Sequence, residues 1–323
     1  MMIDSHYSNC TLFGIKNDAE RYTWAAWLIL IFMSALFGDT IILTATIKYK
    51  AFNLHKFMVV CIQHIAVSDL LSLISISFRI VSVLANGWIF GKALGYIVAH
   101  FQYFSSTASL LLICSMTSSK LWLVKHPLDA RHLRGEKAHQ LCTCIWAVSL
   151  VLPATALIYD EQGIIWDQRL YVPDYAYNST DPGLIESVST ALTCIPSASV
   201  IITSALLVKH LLNVRRRLKA RKGKVRWHGI AAALTVAVVY NVSSLPVTAA
   251  YLSQIFLDTS DNTFSIALRA SSTFFYFNVV SHFFVYYCTV KNFRGLINTR
   301  VQQMTSRSPY LPTKAGKINQ LIH

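Results

Sequence analysis

The stretch FMVVCIQHIAVSDLLSLISISFRIVSVLA, Phe57 to Ala85, decides how the rest of the chain is read. Over 29 residues it carries two formal charges, Asp69 and Arg79. About 20 consecutive, mostly apolar residues are enough for a helix to cross a bilayer. In hydrocarbon every backbone N–H and C=O must be bonded inside its own segment, so such a block is helical. Six more blocks share the pattern, at about 23–47, 94–124, 139–159, 187–213, 229–257 and 263–290. Composition agrees: 54% of the 323 residues are hydrophobic and 14% charged, where a soluble domain carries about a quarter charged. The expected fold is therefore an all-α membrane protein, a seven-transmembrane helix bundle.

Charge distribution sets the expected orientation. Of 29 Lys and Arg, 23 fall in the connections 48–56, 120–137 and 209–226 and in the tail from 291. The alternate connections carry acids instead, including Asp160, Glu161, Asp174, Glu186, Asp258 and Asp261. Basic loops stay cytoplasmic, which places the N-terminus outside and the C-terminus inside a multi-pass protein of the plasma membrane. The run RRRLKARKGKVR (215–226) then reads as a topology signal beside anionic lipid, and no nucleic-acid partner is expected. Asn9 and Asn178 are sequons on the expected outer side, whereas Asn241 lies inside the sixth span. Asp4, Asp18 and Glu20 precede a first apolar block too long for a signal core, so that span is expected to act as its own insertion signal.

The chain divides into an extracellular N-terminus (1–22), the seven-transmembrane domain (23–290), a membrane-surface helix (291–302) and a cytoplasmic tail (303–323). In KNFRGLINTRV, Phe293, Leu296, Ile297 and Val301 share one helical face, giving a short amphipathic helix after the seventh span. The motifs VPDY and DPG in the 160–186 connection suggest turns. Of the seven cysteines only Cys10 is clearly outside, so no disulfide is expected, and CTC at 142–144 lacks histidine partners for a metal. No glycine-rich phosphate loop or convergent nucleophile appears, and an enzyme is not expected.

The order of short motifs resembles the rhodopsin-like family of G-protein-coupled receptors over about 23–301. LFGDT (36–40) resembles the first-span glycine–asparagine motif, with Asp39 in place of asparagine. HIAVSDLL (64–71) resembles the leucine–alanine–aspartate motif and keeps Asp69. GWIFG (87–91) matches the tryptophan–phenylalanine–glycine turn, Trp146 the fourth-span tryptophan, and Pro196 and Pro246 the fifth- and sixth-span prolines. Tyr286 followed by KNFR matches the end of the seventh span. Aligned on KHPL, aspartate–arginine–tyrosine becomes Ser119–Lys120–Leu121. The sixth-span tryptophan becomes Ser244, the seventh-span asparagine–proline becomes His282–Phe283, and the third-span cysteine becomes Gly95.

The resemblance implies a receptor that transduces an unknown extracellular ligand to a heterotrimeric G protein, with membrane lipid around it. It implies a ligand pocket at Arg79, Gln102, Tyr103, Tyr251 and Tyr276, a switch at Ser244 and Pro246, and a G-protein-facing set of Lys120, Lys125, Pro127, Arg226 and Tyr286. It also implies a sodium pocket at Asp69, Ser109, Asn278 and His282, and Asp39 adds a second carboxylate nearby. Three readings of that cluster stay open: a structural polar network, a sodium site, and a proton-sensitive switch in which His282 neutralises Asp69. No other metal or cofactor is expected. The third span has no acid to bind an amine, and the seventh has no lysine to hold retinal. Arg79 and Arg269 favour an anionic or carbonyl-bearing ligand. Against that, Arg269 can snorkel outward and Arg79 can pair with an outer-loop acid. Lys120 lacks the acids that restrain the family's arginine, so it either leaves the third and sixth helices unlocked or merely snorkels to the inner leaflet. A polytopic channel or transporter with an Asp–His proton-sensitive core is the alternative function.

Overall fold

The structure, a computed structural model, describes residues 17–49, 52, 54–126, 135–159, 164–167, 170–175, 195, 197–210, 212–213, 228–256 and 262–306. Its helices are α1 (Asp18–Ile47), α2 (Lys56–Leu84), α3 (Gly91–Lys125), α4 (Gly135–Tyr159), α5 (Ser197–His210), α6 (His228–Phe256), α7 (Asn262–Thr289) and α8 (Lys291–Ser306). A hairpin of β1 (Ile164–Asp167) and β2 (Val172–Tyr175) joins them. α1 packs on α2 and α7, α2 on α3 and α4, and α3 on α4 and α6, while α6 lies along α7.

Local chemistry explains where the elements begin and end. The Asn17 side chain accepts the Ala19 N–H at 3.0 Å, and Asp18 and Glu20 put negative charge at the positive end of α1. α2 starts at His55, whose Nδ1 accepts the Phe57 N–H. It stops at Asn86, a left-handed residue with φ 55°, a conformation asparagine tolerates better than most. Gly91, at φ 79°, then opens α3, and the Trp88 indole ties the turn by donating to its carbonyl at 2.7 Å.

Four described segments are long and apolar enough to cross a membrane alone: α1, α2, α3 and Ile230–Ala250 of α6. With 28 residues, α7 reaches about 42 Å, ample for a crossing. Its apolar content is lower because the polar residues Ser265, Ser272, Asn278, Ser281 and His282 are buried inside the bundle. Phe37, Val238, Leu245, Phe277 and Phe284 face outward, as side chains facing lipid do. The larger core joins Met58, Ile62, Ile113, Val236, Tyr286 and Phe293, and a second one joins Leu28, Ile76, Tyr171 and Tyr276.

Gly38 marks a close approach of α1 to α7, since a Cβ there would lie 3.0 Å from the Phe283 Cβ. Phe293 of α8 is fully buried between Phe52 and Phe283, at ring distances of 5.0 and 5.9 Å. Leu296 and Ile297 are half-buried beside it, whereas Val301, expected on the same face, is exposed. VPDY is not a turn. Val172–Tyr175 pairs antiparallel with Ile164–Asp167, with Pro173 opposite Trp166. The missing N–H of proline is tolerated in a two-stranded ribbon, where each strand has an open edge. Leu170 and Val172 of the hairpin pack on Leu268 of α7, so the hairpin sits over one end of the bundle and α8 lies at the other. DPG (181–183) lies outside the described residues.

Candidate functional site: a buried acid–histidine cluster and a buried arginine

Three helices deliver one ionisable cluster. α1 brings Asp39, α2 brings Asp69 and α7 brings His282, all 1–2% exposed. Their ligand atoms lie within 4.8 Å of one another. His282 Nδ1 is 2.6 Å from Asp69 Oδ2, and the Ser109 hydroxyl of α3 donates to Asp69 Oδ1 at 3.4 Å. Ser68 fixes α2 against α3 by donating to the Ser105 carbonyl at 2.8 Å. The close passage at Gly38 lets Asp39, the next residue, reach this layer. Both Asp39 oxygens, His282 Nε2, Asn278 Oδ1 and the Tyr286 hydroxyl have no hydrogen-bond partner. Buried polar atoms rarely remain so. Asn278 lies one turn from His282 on α7, and the Tyr286 ring lies nearly parallel to the imidazole at 6.4 Å.

The donor set departs from the sodium pocket that the resemblance implies. A carboxylate oxygen is already engaged by an imidazole nitrogen, and a second carboxylate has been added. Hard monovalent cations favour all-oxygen sites, while imidazole suits softer ions. These residues fit a sodium ion poorly.

Nearer the hairpin, Arg79 of α2 is 2% exposed. Its Nη1 donates to Ser272 Oγ at 3.0 Å, and its guanidinium lies 4.9 Å from the Trp24 ring and 5.3 Å from the Tyr276 ring. Such cation–π contacts stabilise a desolvated guanidinium by about 2 kcal/mol. Its Nε and Nη2 are unpartnered, and among the described residues no carboxylate pairs with it. Among the described residues, the partners of Arg79 are Ser272 and two aromatic faces; the outer-loop acids Asp160, Glu161, Asp181, Glu186, Asp258 and Asp261 lie outside the described residues. Arg269 does not snorkel either: it is buried and donates from Nη2 to Glu20 Oε1 at 3.3 Å. The Trp24 indole donates to Thr273 Oγ1 at 2.9 Å, which holds the aromatic wall in place.

The remaining expected site residues scatter. Gln102 and Tyr103 are half-buried on α3, while Tyr251 lies in α6 with its side chain outside the described set. Ser244 is buried, donating to the Asn241 carbonyl at 3.2 Å, and Pro246 faces outward. Lys120 is half-buried near the α8 end. Ser119 donates to its own helix at the Ser115 carbonyl, 2.6 Å away, so it is committed elsewhere. Lys125 is exposed, whereas Tyr286 is core-buried and presents no surface to a partner in this conformation. Asn9, Asn178, Pro127 and Arg226 lie outside the described residues.

Sequence reading missed Trp24, Ser272 and Glu20, whose roles come from helix packing across some 190 residues or more of chain. It also missed a relay between α2 and α4. Trp146 donates to His64 Nδ1 at 2.9 Å, which puts the His64 proton on Nε2, 3.4 Å from His139 Nδ1.

With that geometry in place, residues 38–292 match the family model described as 7 transmembrane receptor (rhodopsin family). Two curated relatives are the "G-protein coupled receptor 54" of Oreochromis niloticus and the "D(1A) dopamine receptor" of Didelphis virginiana. The first is 25% identical over 165 residues, covering 48% of this chain and 43% of that one. The second is 29% identical over 141 residues, covering 42% and 31%. The chain spans less than half the length of either. These matches support a receptor rather than a channel, a transporter or an enzyme.

Proposed function

The chain belongs to the rhodopsin family of seven-transmembrane receptors, and from that premise we propose that it is a plasma-membrane receptor for an anionic or carbonyl-bearing extracellular ligand that Arg79 anchors. The observation that carries this reading is the buried guanidinium, with Nε and Nη2 unpartnered and, among the described residues, no carboxylate pairing with it. An uncompensated buried charge costs several kcal/mol unless something pairs with it. Trp24 and Tyr276 supply flat walls for the carbon skeleton next to the anionic head. The dopamine in one relative's name is not carried over, because α3 contains no acid to receive an amine.

In this reading the hairpin end faces outward, the α8 end meets a heterotrimeric G protein, and α6 moves near Pro246 to pass the signal. Lys120 has no acid pairing with it among the described residues, which supports an unlocked inner end and raised basal output. The test is second-messenger output in cells expressing the full chain, screened with carboxylate-bearing compounds and their methyl esters at matched surface expression. A carboxylate that activates the wild type, loses about 10- to 100-fold potency against Arg79→Gln, and fails as its ester supports the assignment. Equal potency of acid and ester, or at Arg79→Gln, removes Arg79 from ligand recognition.

A further inference from the structure

We propose that Asp39, Asp69 and His282 form a centre for one divalent d-block cation of the zinc class, bridging α1, α2 and α7. Three observations converge on it. The donor atoms are already gathered within 4.8 Å. Around a zinc-sized ion, carboxylate and imidazole donors bind at about 2.0–2.2 Å and therefore stand roughly 3–3.5 Å apart. Rotations moving these atoms by about an ångström complete the trio, and the 2.6 Å Asp69–His282 contact opens slightly as the metal takes its place.

The second observation is the set of unpartnered atoms. Asp39, at 1% exposure, has neither oxygen hydrogen-bonded, and Asn278 Oδ1 and the Tyr286 hydroxyl, both more than 95% buried, are orphaned in the same region. A proton on His282 satisfies Asp69 and leaves Asp39 as it stands. One divalent ion engages both carboxylates and cancels both charges. Asn278 or Tyr286 then stands ready to ligate directly or to hold a metal-bound water. The third observation is chemical type. Two carboxylates with one imidazole select a borderline ion over sodium, magnesium or calcium, which favour oxygen alone. Joined this way, α1, α2 and α7, already tied in pairs by hydrogen bonds such as Asp69–His282 and Trp24–Thr273, share one common ligand.

The proposal does not depend on what activates the receptor, so its test reads metal binding rather than signalling. Purified full-length chain in detergent, with any tag removed and metals stripped by chelator, is dialysed against micromolar zinc, and bound metal is measured by elemental analysis. Thermal unfolding is followed in parallel in zinc chloride, sodium chloride and choline chloride. The wild type and a His139→Ala control should each retain one zinc per chain and gain several degrees in Tm. Exchanging sodium for choline should change nothing. Asp39→Asn and His282→Asn should bind zinc at least tenfold more weakly, and His282→Asn, which restores an oxygen donor, should gain sodium-dependent stability. Cobalt(II) in the wild type should give ligand-field absorption characteristic of nitrogen coordination, a readout independent of how well the variants fold. The assignment is overturned if zinc uptake is unchanged in both variants, if the wild type is stabilised by sodium and not by zinc, or if cobalt reports oxygen ligands only.

Discussion

Gly38 and Asp39 are chain neighbours with opposite demands. Gly38 must have no side chain, because Phe283 occupies the space at 3.0 Å. Asp39 must have one, because it supplies the third donor of the cluster. Gly38→Val should lower stability by about 1–3 kcal/mol through overpacking, read as a fall in Tm of the purified protein. Adding Phe283→Ala should recover part of the loss, a coupling that separates contact from mere helix propensity. The same scale governs Arg79. Ser272→Ala removes its one described hydrogen bond and leaves a third donor orphaned. We expect a loss of about 1–3 kcal/mol in thermal stability, regained when an anionic ligand is bound. A Tm unchanged by Ser272→Ala would show that water already satisfies the guanidinium.

Among the elements, α6 and α8 make separable predictions. Proline at 246 has no N–H to give to the Val242 carbonyl, which weakens the ladder at that level. Pro246→Ala should restore the bond, raise Tm and reduce ligand-stimulated output. Phe293→Ala should undock α8, since its ring fills a pocket between Phe52 and Phe283. The cost is about 3–5 kcal/mol if the site does not collapse, and faster amide exchange confined to residues 291–306 would identify its source. The elements were unevenly legible in the sequence. Spans such as 57–85 stand out because hydrocarbon demands long, charge-poor blocks, and α8 because its apolar residues recur at helical spacing. The hairpin was missed because Pro173 and Asp174 are turn formers by local preference, and its pairing partner lies in another short segment. Asp69 and His282 were legible in two ways, as ionisable groups inside a bilayer and as members of the pocket that the motif order implies. Of the sandwich around Arg79, Tyr276 was legible through the motif order, whereas nothing in the order of residues says that Trp24 and Ser272 will meet it.

At the scale of the whole molecule, the two buried charge centres divide the bundle into a hairpin-side half around Arg79 and a middle layer around Asp69. Lys120 lies beyond both, toward α8. Lys120→Ala should lower basal second-messenger output if the cation itself engages a partner, and unchanged output at matched expression would reduce it to a lipid-facing anchor. Asn9→Gln and Asn178→Gln should each remove an enzyme-sensitive gel shift if the N-terminus lies outside. Persistence of the shift in the double variant would count against that orientation. The unbroken course of α7 carries a consequence in time as well as in shape. Phe283 keeps a backbone N–H, and the helix runs without a break from Asn262 to Thr289. Its amides should therefore exchange with solvent slowly and at one nearly uniform rate, while α6 opens first beside Val242. The chain's slow clock would then be α7 and its fast one α6, so that a ligand acting through Arg79 changes how often α6 opens while α7 and its buried cluster stay closed.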